Sequence, residues 1–596
     1  MNNNLIVKKN IFLTGGTLFL FGLFSVYSLG LQLSAKNYIN KSIDLNLGEI
    51  DLQPMRGNFF DRNGVQLTSS QEVFSIKINK VSLNIDKIAN IAKFIQDNKF
   101  DFTSNSTVVT QLSDEKITSV SIIDLTDSQA KLFKDTYPDN SFYNVSFVTR
   151  RYYNFPYEYT HTIGYVGKAT EEDLKNGYSN DDYVGSYKME FQYEDLLKGT
   201  KGKKYYVGDV EVQQNPEPGD NINLTIDNNW QTLLYRLLAK HSEEDNAAGG
   251  GGAIIDDSNG EVVTLASFPG INTNDLLTGI SADNYQALLN DRDAPFNDKA
   301  VNSPDAPGSI FKIITGYNLL QNGVVDRSST FLSQGCLNLG GGYNFCEYGK
   351  QQFGFENIER ALYKSSNMFF CNYLLQQYKN SGFDSFKNSA NLFNIGQKTD
   401  IDLIGENAGI MDSPEYRKET TSLNWFDGDT CNTAIGQGSI LVTPIQMAMV
   451  ASTIANRGVY YQPHILKNVQ DVYKNIVKQI DPTVAKTIPI SDETLGLINS
   501  GMSQVANNPE GTVYYFLHDL PGNLRVKTGT AEAYENVNGE QVYRTHGWIV
   551  GTFDYNNKSY SLAFHLRYGG GGFLIGNLLK EFVRCVYANN APGCDA

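Results

Sequence analysis

A chain of 596 residues exceeds one ordinary domain, and 41% hydrophobic, 12% aromatic and 19% charged residues make it globular rather than disordered. A formal net charge of -16, with no local cluster of lysine and arginine, excludes a nucleic-acid-binding role, because a polyanion would be repelled. The six histidines are scattered and none pairs with cysteine at zinc-ligand spacing, so no metal or other cofactor is expected.

Ile11 to Leu33 holds no charged residue and is rich in Leu, Phe and Gly, long enough to cross roughly 30 Å of hydrocarbon. A cleaved signal peptide has a shorter apolar region, so residues 11–33 are expected to stay as a single transmembrane anchor. Lys8 and Lys9 would hold residues 1–10 in the cytoplasm, leaving the rest outside. Residues 37–243 alternate short β-branched and aromatic runs with turn clusters, the pattern of a β-rich extracytoplasmic pedestal. A helical stretch from Trp230 to Leu238 leads into a polar, glycine-rich segment, and a second domain is expected over 244–596.

Gly249 to Gly252 lack the Gly-Lys-Ser/Thr of a phosphate loop and read instead as the entrance to a strand. Ala253–Ile255 and Val262–Ala266, joined by Asp257-Ser258-Asn259-Gly260, form a hairpin, and Trp548–Phe553 with Ser559–Leu566 form another. Helical periodicity falls on Phe311–Leu320, Ile358–Lys364, Met368–Tyr378, Thr443–Ala455 and Leu574–Tyr587. The pattern is α+β: a sheet built from the ends of the domain, with helices packed around it.

Three segments carry chemistry. In Pro307-Gly308-Ser309-Ile310-Phe311-Lys312, residues three apart share one helical face, so the Lys312 amine can reach the Ser309 hydroxyl. Lysine acts as a base only if its pKa falls, and Phe311, Ile313 and Ile314 supply apolar surroundings that lower it. The same spacing at Ser113–Lys116 and Ser128–Lys131 sits in polar sequence and reads as surface. Lys527-Thr528-Gly529-Thr530 lies on an alternating, strand-like segment, where a lysine charge and threonine hydroxyls suit a carboxylate and glycine allows close approach. Ser365-Ser366-Asn367 falls between two helical runs, where a hydroxyl can shuttle a proton and an amide can hold a peptide group.

These three elements, in this order, resemble the active-site motifs of penicillin-binding proteins and serine β-lactamases. Arg56-Gly57, Asp61–Gly64, Arg151–Pro156, His161–Gly167, Gly185–Glu190 and Gly436–Gly438 are similar to motifs of the class B penicillin-binding proteins. The resemblance implies the penicillin-binding serine transpeptidase fold, with the pedestal as a dimerisation-like domain. It implies a peptidoglycan D,D-transpeptidase acting on stem pentapeptides and acylated by β-lactams. Ser309 would be the nucleophile, Lys312 its base, and Ser365 with Lys527 the proton relay. Asn367, Thr528, Gly529 and Thr530 would bind substrate, and an integral-membrane glycan polymerase would be a partner.

Glu532 stands where such proteins commonly have glutamine, Ala533–Arg544 reads as an added loop, and Asn297–Ala300 matches the usual Asn-Arg-Ala only loosely. A β-lactamase or β-lactam sensor would share the serine and lysine without needing anchor and pedestal, and a non-catalytic scaffold would not need the nucleophile. The six cysteines allow local pairs at Cys336/Cys346 and Cys585/Cys594, or free thiols.

Overall fold

The computed structural model describes residues 50–588, apart from 80–84, 101–118, 139–141, 180–181, 208–209 and 279, together with Cys594. The expected anchor at Ile11–Leu33, the tail 1–10 and the Ser113–Lys116 pair lie outside the described residues. Among those described, no helix is long and apolar enough to cross a membrane.

The pedestal is built on a three-stranded antiparallel sheet, with Thr68–Asn79 between Ser119–Leu125 and Tyr143–Tyr153. Helices Ile85–Asp97 and Asp127–Thr136 cover it, burying Ile76, Ile78, Ile91, Phe133 and Phe142. Ser128 and Lys131 lie on the exposed side of the second helix, as a surface reading requires.

At the base of the pedestal the family-like motifs converge on one carboxylate. Glu190, with no exposed surface, lies 2.7 Å from both Arg56 Nη2 and Arg151 Nε, and Arg56 also reaches Glu194 at 2.6 Å. Burial alone would push the Glu190 carboxyl up, but Arg151 and Arg56 more than offset that and hold it below its ordinary value. Segments remote in sequence are thereby tied together.

The second unit centres on a five-stranded antiparallel sheet in the order Val262–Phe268, Gly250–Asp256, Lys558–Leu566, Glu540–Tyr555, Arg525–Val537. Both expected hairpins are present, and the strand carrying Lys527 pairs antiparallel with that carrying Trp548. One face is covered by helices Asn228–Glu244 and Ile575–Tyr587, through Leu234, Leu238, Leu578 and Phe582. The other packs on Lys312–Gln321 and Pro444–Ala455, two helices buried along nearly their whole length.

The segment Ala533–Arg544 is not an added loop. Both strands run through it, and the hairpin closes at Asn538-Gly539. Asn538 (φ 53°) and Gly539 (φ 90°) are both left-handed, the two-residue turn that Asn-Gly favours between twisted strands.

The two units are stitched together. Asn221–Leu224 pairs with Phe59–Phe60 on one side and with Leu466–Gln470 on the other, and a buried ion pair joins Lys188 Nζ to Asp298 at 2.7 Å. The Cys336–Cys346 and Cys585–Cys594 pairs are joined as disulfides; Cys371–Cys431, which sequence did not single out, is a third.

Replacing Glu190 with alanine leaves two buried guanidiniums opposed only by Glu194. Glu190→Ala is expected to cost about 3–5 kcal/mol in chemical denaturation of the folded chain. A loss below about 1 kcal/mol would show that the guanidiniums find other partners.

Candidate active site

Ser309 sits in a single 3₁₀ turn, Gly308–Phe311, that runs directly into the helix Lys312–Gln321. Gly308 adopts a left-handed φ of 56°, and a Cβ there would meet the Thr530 carbonyl oxygen at 2.4 Å. Only glycine therefore permits this turn to abut the strand Arg525–Val537. Two further bonds lock it: the Gly308 N–H donates to Gly436 O at 2.8 Å, and the buried Trp548 donates its indole N–H to Ala306 O at 2.9 Å. Gly436 and Trp548 come from motif segments that gave no hint of this role.

Lys312 Nζ lies 2.9 Å from Ser309 Oγ, 2.7 Å from Ser365 O and 2.7 Å from Asn367 Oδ1. Its side chain has no exposed surface, and burial pushes the amine down to about 7, against the opposing pull of Glu347 and Glu356. Lys527 Nζ lies 2.8 Å from Ser365 Oγ; burial, and then the Lys312 charge, hold it well below the usual lysine range. The Ser365 hydroxyl therefore lies between two buried amines, 3.4 Å from one and 2.8 Å from the other.

Ser365 ends the helix Ile358–Lys364 at φ 60°, an uncommon conformation for a non-glycine residue, which turns its carbonyl and hydroxyl toward the amines. Ser366 caps the next helix, Asn367–Ser381, its hydroxyl accepting from Phe369 N. On the facing strand the Thr528 hydroxyl is 2.8 Å from that of Thr512, and Thr530 Oγ1 accepts from Gly572 N at 2.8 Å. Thr530 and Glu532 are exposed on this outer strand of the sheet.

Ser309, Lys312, Ser365, Asn367 and Lys527 thus meet through direct contacts, with Thr528, Gly529 and Thr530 on the strand alongside. Glu347, Glu356, Thr512 and Gly572 also belong to this neighbourhood and were not found from sequence, because nothing in their local pattern marks them.

A metal has one conceivable seat among the described residues. Asp305, His546 and His565 bring a carboxylate and two imidazoles within 4.8 Å of one another. Two features disfavour a cation there. Arg567 Nε already lies 3.8 Å from Asp305 Oδ2. His546 Nδ1 accepts from the Tyr568 N–H, which leaves the His546 proton on Nε2, the nitrogen facing Asp305. Burial lowers both imidazoles, and His565 stacks on the Trp548 indole as part of the packing behind the nucleophile's turn.

The family model described as the penicillin-binding protein transpeptidase domain matches residues 250–583, and that of the penicillin-binding protein dimerisation domain matches 51–224. The chain is 27% identical to peptidoglycan D,D-transpeptidase MrdA of Escherichia coli strain K12, over 97% of this chain and 94% of that one. It is 26% identical to penicillin-binding protein 3 of Bacillus subtilis, over 89% and 77%. A solved complex of Helicobacter pylori PBP2 with MreC superposes with a TM-score of 0.76 at 26% identity, over 91% of this chain and 99% of that one.

A methyl group at position 308 tests the turn. Gly308→Ala is expected to cost about 1–3 kcal/mol for the left-handed backbone, plus the clash with Thr530 O, and to lower the calorimetric unfolding temperature. An unchanged Tm would show that the turn can move off the strand freely.

Proposed function

The chain belongs to the class B penicillin-binding proteins, and on that premise we propose that it cross-links peptidoglycan stem peptides by passing an acyl group through Ser309. This is the reaction of a serine-type D,D-transpeptidase. The observation that carries the reading is the amine at 2.9 Å from the Ser309 hydroxyl, buried and depressed to about 7. A base with that pKa is deprotonated in a useful fraction of molecules near neutral pH.

Ser309 Oγ attacks the carbonyl carbon of the penultimate D-Ala while Lys312 Nζ takes its proton. The oxyanion that forms is met by the backbone N–H groups of Ser309 and Thr530, brought close by the Gly308 turn. The peptide C–N bond then breaks. The departing D-Ala nitrogen takes a proton through Ser365 Oγ, which Lys527 and Lys312 flank, and the acyl group remains on Ser309. An amine from a second stem peptide attacks that ester, forming the cross-link and returning the proton to Ser309. Asn367 and the strand Lys527–Thr530 hold the peptide, with Lys527, Thr528 and Thr530 directed at its terminal carboxylate. A β-lactam enters the same way, but its leaving nitrogen stays tethered and blocks the second step.

The uncharged span Ile11–Leu33 supports a single-pass anchor with residues 1–10 in the cytoplasm and the active site outside. The Helicobacter pylori relative is described in complex with MreC. For this chain a membrane-associated partner, and in particular an integral-membrane glycan polymerase, fits an anchored cross-linker that needs nascent glycan. A silent scaffold would have no use for two buried amines flanking one hydroxyl.

Intact-mass analysis after penicillin exposure is expected to show a stable adduct on the wild-type chain and none on Ser309→Ala. Rapid loss of the wild-type adduct by hydrolysis would indicate a β-lactamase instead. Because Lys312 must be neutral to accept the proton, the acylation rate is expected to rise with pH through about 7 and level off above. A rate flat across that range would remove Lys312 as the base.

A further inference from the structure

Behind the residues used above lies a buried carboxylate with no assigned role. Glu347 is 3% exposed and directly follows Cys346, the end of the hairpin Cys336–Gly340 and Tyr343–Cys346, whose cysteines are bonded to each other. Its Oε1 accepts from Ser366 Oγ at 2.6 Å, Met368 N at 3.0 Å and Ser333 Oγ at 3.2 Å, and its Oε2 accepts from Asn367 N at 2.6 Å. Ser366 is the cap of the helix Asn367–Ser381, and Asn367 and Met368 are its first residues, where orphan N–H groups favour a negative partner.

The neighbouring backbone completes the grip. Cys346 O accepts from Asn367 Nδ2 at 3.2 Å, which turns Asn367 Oδ1 toward Lys312 Nζ, 2.7 Å away. Residues 346 and 347 thus fix both the backbone of the arm Ser365–Asn367 and the orientation of its amide. The Ser366 hydroxyl accepts only from Phe369 N, and Glu347 takes the Asn367 and Met368 N–H groups that it leaves. What Glu347 adds is the placement of the helix start relative to the amine.

We propose that Glu347 is a positioning residue for acyl transfer, holding the Ser365–Asn367 arm against Lys312 and supplying a buried negative charge behind that amine. The proposal rests on Lys312 acting as the base. The groups facing Lys312 are Ser309 from its own turn, Ser365 and Asn367 from the arm, Phe370 with its ring 5.9 Å away, and Lys527 from the strand. Glu347 and Glu356 face it from behind. Burial raises Glu356 to about 7, so near neutral pH it carries only part of a charge, while Glu347 exerts the larger pull of the two on Lys312.

The test is the penicillin acylation rate of the full chain in detergent, measured against pH for the wild type, Glu347→Gln and Glu347→Asp. The glutamine keeps the size, removes the charge and presents an amide to a site made of donors. Its plateau rate is expected to fall about tenfold. Its acid limb should move to lower pH, because an ammonium without a nearby anion sheds its proton more easily. The aspartate withdraws the charge by one methylene and should shift both quantities the same way by less, and it decides the matter if the glutamine variant does not fold. A limb that stays at the wild-type position or moves to higher pH in folded variants overturns the proposal, whether or not the plateau falls, since loosened packing would admit water and favour the ammonium. Failure of the underlying assignment looks different: the wild type itself would then show no acid limb.

Discussion

The structure turns on keeping an ammonium out of water. Lys312 and Lys527 both bury their amines completely, beside one serine hydroxyl, where two positive charges could not be held together without great cost. Burial is what converts a surface cation into a base, and it is achieved by helices rather than by the site itself. The Lys312–Gln321 helix is packed between the sheet and its neighbours, so the apolar core fixes the amine's chemistry as well as its position. The carboxylates at Glu347 and Glu356 temper the effect, and the result is an amine poised near 7.

The same dependence explains why the turn before the helix is so crowded. Gly308 lies against the Thr530 backbone, Ala306 against the Trp548 indole, and the Asp305 carboxylate against two neutral imidazoles. Each contact joins the nucleophile's turn to the sheet. The distance between hydroxyl, amine and strand is therefore set by packed backbone and leaves little freedom to the serine side chain.

Much of this was legible from residues alone. The helix Ile358–Lys364, both hairpins and the strand carrying Lys527 were marked by periodicity and by turn residues, which are local properties. So were the residues that meet at Ser309, because three short motifs in fixed order carry them. The extended hairpin at Asn538-Gly539 escaped notice, because polar, charged residues on both of its strands hide the alternation. Glu347 and Glu356 escaped for another reason: a buried acid is recognisable only by what surrounds it, and the start of the Asn367–Ser381 helix that meets Glu347 comes later in the chain. The convergence of Arg56 and Arg151 on Glu190 is likewise a fact of tertiary structure, although the motif residues themselves stood out. The Cys371–Cys431 link joins positions 60 apart, which spacing could not have chosen.

The order of strands in the central sheet bears on how the chain reaches its native state. Asp256 ends a strand whose partner begins at Lys558, 302 positions later. The apolar strand Ala253–Ile255 thus emerges early in synthesis and waits for almost the whole of the remaining polypeptide before its edge is covered. Contacts so far apart in sequence form slowly and leave sticky edges exposed meanwhile. Closure of the sheet therefore waits on Lys558–Leu566, long after the first motif has been made.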